Sequence, residues 1–273
     1  MLKTNYFCLI AGLPDIIINE TKSVVSSKEF KIELSEQLEP DDYKLAELLY
    51  LNHDNENLLN IILKRDKPFN SLGKYSQEEL EEQIKEPTYI VDYMNQFIIG
   101  FKAEETQISD LTWENKLQSL FFDFVLQTKN IFLKKWFEFE MDIRNILTAF
   151  NCRKYNYNVE KQLIHTKQRN EVFENLIKET IKLDSLSDDV MYAEKILQIA
   201  ESDDNSSKKE KAIDMIKWEF LEEFTFFKYF NIEKILAFII ILNIVERWKK
   251  LDNKTGEEVF KKLIDDLQFT IND

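Results

Sequence analysis

Helix breakers are almost absent from most of this chain. Of 273 residues only 4 are Gly and 4 are Pro. Gly12, Gly73 and Gly100, with Pro14, Pro40, Pro68 and Pro87, all lie in the first hundred residues, and Gly256 is the only breaker afterwards. Gly and Pro are the residues that cost a helix interior most, so this distribution favours long uninterrupted helices from about residue 112 onward. Strand-like alternation is short everywhere. The chain is therefore expected to be all-α.

A hydrophobic fraction of 44%, with 21 Phe, supplies a full core and argues against disorder. The length suits one large domain or two or three small helical ones. A net charge of -14 makes nucleic acid a poor partner, because phosphate binding needs clustered Lys and Arg. Anionic membrane is disfavoured for the same reason. The longest apolar run, residues 235–245, is about half the length a bilayer span requires and reads as a core helix. The apolar start is cut early by Pro14-Asp15, and no small-residue cleavage site follows, so it does not read as a signal peptide. Cys8 and Cys152 both sit in apolar helical settings and are expected to be buried, reduced and inert.

Capping chemistry places the early helices. Residues 4–13 read as a short helix ended by Pro14. Ser26 or Ser27 caps a helix through Leu38, and Asp41 or Asp42 caps the next. Asn52-His53-Asp54 reads as a cap and restart. Ser76 with Glu79 resembles a capping box for a helix through Glu86. Ser109 or Thr112 opens the longest helix, whose stripe runs from Trp113 through Phe150 and which would span on the order of 60 Å if unbroken to residue 152. A further helix is expected over 160–180, a loop and cap near 185, and a short helix over 190–200. The polar segment 201–211 reads as a linker. Residues 212–230 read as an aromatic helix. Asn231 then caps a core helix through Trp248, Leu251 to Thr255 turns, and a last helix runs from Gly256 to Leu267.

Residues 138–155, E-F-E-M-D-I-R-N-I-L-T-A-F-N-C-R-K-Y, organise the rest. Phe139, Ile143, Ile146, Leu147 and Phe150 recur at the steps of one buried helical stripe. Asp142 and Asn145, three apart, share a face at its edge, where polar side chains usually meet a neighbouring helix end or a cation. Arg153 and Lys154 put positive charge in the last turn, as the helix dipole favours. An ungapped echo occupies 54–66: Asp54 faces Asp142, Asn57 faces Asn145, Leu58 and Leu59 face Ile146 and Leu147, and Lys64 and Arg65 answer Arg153 and Lys154. A weaker third copy starts near Asn231 and lacks the Asp-x-x-Asn pair. Repeated helical units of this kind decide architecture.

Catalytic patterns are scarce. Two histidines, His53 and His165, limit imidazole chemistry. His53-Asp54 resembles an HD pair, but the further His and Asp ligands such metal sites need are lacking. Glu160 and His165 are five apart, which misses the helical ligand spacing. Asp188-Asp189 has no downstream partner, and Asp41-Asp42 reads as a cap. No phosphate loop and no nucleophile elbow occurs. Acid pairs such as Glu138 and Glu140, or Glu222 and Glu223, are most simply solvated faces in a chain with 50 acids. The aromatic block at 218–230 reads as core in preference to a binding surface. The segment 246–252, with Glu246, Arg247 and Trp248, reads as the polar end of the core helix or an interface.

The stretch W-F-E-F-E-M-D-I-R-N-I-L-T-A-F-N-C-R-K-Y resembles the helix-ending element of the C/d-type stalk proteins of V-type and archaeal-type ATP synthases. The closer resemblance is to a bacterial family similar to those proteins. Its pattern is met at Ala11 to Pro14, at Asp142 to Asn145, and from Phe226 to Phe260. None of these motifs is catalytic. The resemblance implies an elongated stack of helical subdomains forming a funnel or socket, here divided near 1–110, 111–200 and 201–273. It implies a non-catalytic subunit without cofactor that couples the central stalk to the membrane rotor ring. Its partners would be the central-stalk subunits and the membrane rotor ring of a V-type ATPase, and its place cytoplasmic, peripheral to the inner membrane through the ATPase complex. A soluble helical scaffold or adaptor is the alternative; a helical enzyme using clustered carboxylates and a metal is the weakest.

Overall fold

The structure is a computed structural model that describes residues 5–16, 25–103, 110–178, 186 and 189–271, the side chains of 110–112 and 252–271 excepted. Ser109 and Asp188, and most of the loop expected near 185, lie outside the described residues. Among the described residues there are twelve α-helices and no strand, so the chain is all-α. The order is α1 (Phe7–Ala11), α2 (Ser27–Gln37), α3 (Pro40–Ile62), α4 (Gln77–Lys85), α5 (Asp92–Ala103), α6 (Asp110–Val125), α7 (Ile131–Lys154), α8 (Val159–Gln162), a 3-10 turn (Lys167–Arg169), α9 (Asn170–Ile177), α10 (Ala193–Glu201), α11 (Ser206–Thr225) and α12 (Ile232–Ile271).

Local chemistry accounts for several starts. Ser26 and Ser76 each close a complete capping box, with Glu29 and Glu79 reaching back. Pro40 opens α3, where its missing N–H costs nothing.

Five expectations are corrected. No restart occurs at 52–54: α3 runs unbroken through Asn52, His53 and Asp54. The long helix expected over 112–152 is two helices. Asn130 accepts from the Leu133 N–H and Thr128 Oγ1 from the Asn130 N–H, so two side chains satisfy amides that the helix would otherwise use. The helix expected over 160–180 breaks at 163–169, where Asn145 takes Ile164 out of the helical ladder. The linker expected at 201–211 is mostly helix, because Asn205 accepts from the Lys208 N–H and starts α11. No turn separates two C-terminal helices: α12 continues through Gly256 for 40 residues.

The chain divides into two compact units, one made of Met1–Ala46 with Thr225–Asp273 and the other of Glu47–Phe224. In the first, α12 packs on α2, with Phe30 edge-on to Phe238 at 5.0 Å and Leu34 fully buried. Nine residues of the apolar run 235–245 are buried there, from Ile235 to Val245. Tyr6 ties α1 down: its N–H donates to the Phe230 carbonyl at 2.9 Å and its hydroxyl donates to Asp42 at 2.5 Å.

In the second unit, α5 and α6 form one packed pair, and α7 is the central element against α6, α8, α9 and α10. Aromatic rings fill both layers. Phe97 meets Trp113 edge-on at 5.8 Å, Phe121 meets Phe137 at 5.7 Å, and Phe139 stacks on Phe220 at 4.6 Å. Such pairs add about 0.5–1.5 kcal/mol beyond their buried area and fix ring geometry. No described helix is long and apolar enough to cross a membrane.

Candidate functional site

The polar pairs singled out in the sequence fasten loops to helices. On α3, the Asn57 side chain donates to the Asn70 carbonyl and accepts from the Asn70 N–H, both at 2.9 Å. One turn earlier Asp54, fully buried, accepts from the Lys74 N–H at 2.7 Å and the Tyr75 N–H at 3.1 Å. Gly73 sits so close to that carboxylate that an added Cβ would lie 2.3 Å from Asp54 Oδ1. Here the glycine is required for approach, not for a left-handed backbone.

On α7 the same device recurs. Asn145 donates to the Ile164 carbonyl at 2.7 Å and accepts from the Ile164 N–H at 2.9 Å. Asp142, three residues earlier, is buried and takes Arg169 in a two-pronged pair, with Nε at 3.2 Å from Oδ1 and Nη2 on Oδ2. Nη2 also donates to the Asp189 carbonyl at 2.9 Å. Burial pushes the Asp142 carboxyl up to about 7, against the pull of the neighbouring guanidinium.

Both helices end alike. The Arg65 N–H reaches the Asn60 carbonyl and the Lys64 N–H the Ile61 carbonyl; Tyr157 and Asn156 repeat this with Cys152 and Arg153. These are Schellman closures with Lys64 and Asn156 in the left-handed region, φ 53 and 58. The helix of the second copy runs about one turn further past its Asn than that of the first. Arg153 then donates to the carbonyls of Ala149, Leu176 and Lys178, gathering the end of α9 onto α7. Its counterpart Arg65 instead pairs with Glu114 at 2.6 Å.

The core helix α12 carries a polar pair of its own, in the reverse order. Glu246 accepts from the Ser27 N–H at 2.6 Å and Asn243 Oδ1 accepts from the Ser27 hydroxyl at 3.1 Å, so three residues' separation again fastens one chain segment. Trp248 is buried, and the exposed Arg247 lies 5.6 Å from its ring.

Gln83 is a clamp that the sequence reading missed. Fully buried, its Oε1 accepts from the N–H groups of Thr88, Tyr89 and Ile90 at 2.8–3.0 Å, shaping the turn after Pro87. A Gln two residues before the end of α4, just ahead of a proline turn, is the signal that could have found it. Arg169 and Asn70 were missed because their distance along the chain from Asp142 and Asn57 carries no periodic pattern.

Chemistry beyond fastening is sparse. His53 Nδ1 lies 2.9 Å from the Asn70 amide and His165 Nε2 lies 2.9 Å from Asn170 Oδ1, so both rings serve loop packing. Asp42 holds Tyr6 and Asp41 pairs with Lys44. Among the described residues no group of three or more His, Cys, Asp or Glu could hold a metal ion. A groove of about 420 Å³ beside the end of α3 is lined by Asn57, Asn60, Lys64, Arg65, Phe69 and Glu81 among others, with charges of both signs. Cys152 is buried, but Cys8 is exposed, because α1 is only five residues long and covers one face.

The aromatic block at 218–230 divides, which corrects the core reading. Phe220 is buried and Trp218 half-buried, whereas Phe226, Phe227, Tyr229 and Phe230 are exposed. The adjacent pair Phe226-Phe227 breaks the helical period, and α11 stops one residue before it.

Fold and clamps together define an all-helical protein whose buried polar groups join helices to loops. The chain belongs to the family described as "Protein of unknown function (DUF2764)", whose model matches residues 3–271. No curated protein and no solved structure matches it.

Proposed function

We propose that the chain is a non-catalytic central-stalk subunit of a V-type ATPase or ATP synthase, coupling the rotary stalk to the membrane rotor ring. The observation that carries this reading is the duplicated clamp. The Asp-Ile-Arg-Asn element at 142–145, which resembles the C/d-type stalk proteins, and its echo at 54–57 each bind a following loop through the same two hydrogen bonds from Asn. A torque-transmitting part must be stiff, and close packing of aromatic rings around α7, with every clamp buried or half-buried, supplies stiffness. In this reading the repeated units stack into an elongated, funnel-shaped body. The protein is then cytoplasmic and held at the inner membrane through the complex, with central-stalk subunits and rotor ring as partners.

The test is a tagged pull-down from gently solubilised native membranes, with co-purifying proteins identified and quantified. Recovery in a fixed ratio to the head and ring subunits supports the reading. Recovery alone, with that ATPase assembled without it in the same cells, overturns it and leaves a helical adaptor.

A further inference from the structure

The turn between α11 and α12 exposes more aromatic surface than any other described segment. Phe226 is 64% exposed, Phe227 78%, Tyr229 61% and Phe230 39%, and Phe7 beside them is 52% exposed. The rings are held out by a fixed base. The Tyr6 N–H donates to the Phe230 carbonyl at 2.9 Å, the Phe7 and Phe230 rings lie 4.2 Å apart, and the Lys228 N–H closes on the carbonyl of buried Thr225 at 2.9 Å. Phe226 and Phe227 meet edge-on at 4.8 Å. Buried Ile232 follows directly, so the turn cannot fold its rings inward without unpacking the start of α12.

Area and charge narrow the occupant. At 150–250 Å² per aromatic side chain, the exposed fractions sum to on the order of 600 Å². That matches the largest apolar patch of a typical monomer, which is often a functional one, yet is below the roughly 800 Å² each side contributes to a standard protein interface. Between Glu223 and Glu233 the one charged residue is Lys228, in a chain of net charge -14. Two copies meeting through this turn would bring two Lys228 side chains together. A phospholipid surface has no such conflict. Phe rings enter the headgroup–acyl boundary, a Tyr hydroxyl stays at headgroup level, and a Lys stem lies along the apolar surface with its ammonium on phosphate.

We propose that this turn, with Phe7, is a lipid-contacting surface that seats in the interfacial layer of zwitterionic phospholipid. The net negative charge of the rest of the chain makes anionic lipid the weaker partner at low salt. This contact is made by the chain itself, so it stands apart from attachment through ATPase subunits.

The test uses the purified full chain and protein-free phosphatidylcholine vesicles. Wild type should co-sediment, and the double variant Phe226→Ser/Phe227→Ser should lower the partition coefficient about tenfold or more. Replacing part of the lipid with phosphatidylglycerol should weaken binding at low salt, and added salt should restore it. Phe227→Trp keeps the surface apolar, and the emission it adds to that of the four native tryptophans of wild type should be blue-shifted and quenched by brominated acyl chains. The proposal is overturned if wild type stays in the supernatant, if the double variant binds equally, or if the emission that Phe227→Trp adds to wild type does not move on adding vesicles. It is also overturned if sedimentation equilibrium shows a dimer that the double variant abolishes, or if binding occurs to native membranes but never to lipid alone.

Discussion

Asn145 and Ile164 exchange two hydrogen bonds across 19 residues of chain, the side-chain amide replacing a backbone partner on both sides of one residue. Asn57 does the same for Asn70 across 13 residues. Replacing Asn145 by Ala strands a buried N–H and a buried carbonyl together. The expected loss is about 2–4 kcal/mol. Asn57→Ala should cost less, because Asn70 is only half-buried and water can substitute. Urea midpoints at unchanged slope measure both. Equal losses would contradict this account of the clamp.

Gly73 and Asp54 are a second coupled pair. Gly73→Ala places a methyl 2.3 Å from the carboxylate and should destabilise by about 1–3 kcal/mol. Asp54→Ala alone leaves the Lys74 and Tyr75 N–H groups unpaired. In an Asp54→Ala background the methyl has room, so the Gly73→Ala increment should fall close to zero. A double-mutant cycle reads that coupling directly.

Asp142 makes stability depend on pH. Its folded pKa, raised to about 7 by burial, lies above the ordinary value of 3.8. Between these values the folded carboxyl holds a proton that the unfolded one has released, so stability falls as pH rises. The contribution is fully present below pH 4 and lost once pH passes 7. Asn cannot titrate, so Asp142→Asn should flatten the melting-temperature profile between pH 4 and 7 relative to wild type. An unchanged difference across that window would sink the assignment.

Arg153 holds three carbonyls, two of them at the end of α9. Arg153→Lys keeps the charge but loses the planar fork. The expected effect is about 1–2 kcal/mol, with faster amide hydrogen exchange concentrated in α9. Uniformly faster exchange throughout the unit would mean that Arg153 serves global packing instead.

Legibility varied with the range of the interaction. The capping box at Ser76 was readable because cap and partner lie three residues apart, whereas Ser26 and Ser27 stood as alternative caps until Glu29 was seen to reach back to Ser26. The stripe of α7 was readable because its spacing is periodic: Phe139, Ile143 and Ile146 are buried, and Leu147 and Phe150 half-buried. The break between α6 and α7 was not. Thr128 and Asn130 are tolerable helix residues until their side chains accept backbone amides, and nothing in their spacing says that they will. Gly256 misled in the other direction. One glycine costs a helix about 1 kcal/mol, too little to stop a ladder already nucleated.

By itself the sequence determined that this protein is helical, where several of its helices begin, and which residues form its repeated Asp-x-x-Asn pairs. These follow from local sterics and from periodicity, which act over one to four residues. Only the tertiary structure decided that the first and last segments share one unit, that Asn145 faces Ile164 and Asp142 faces Arg169, and that the rings after Thr225 are exposed. Those outcomes depend on which surfaces meet across long stretches of chain, where close packing selects one partner among many of equal local propensity.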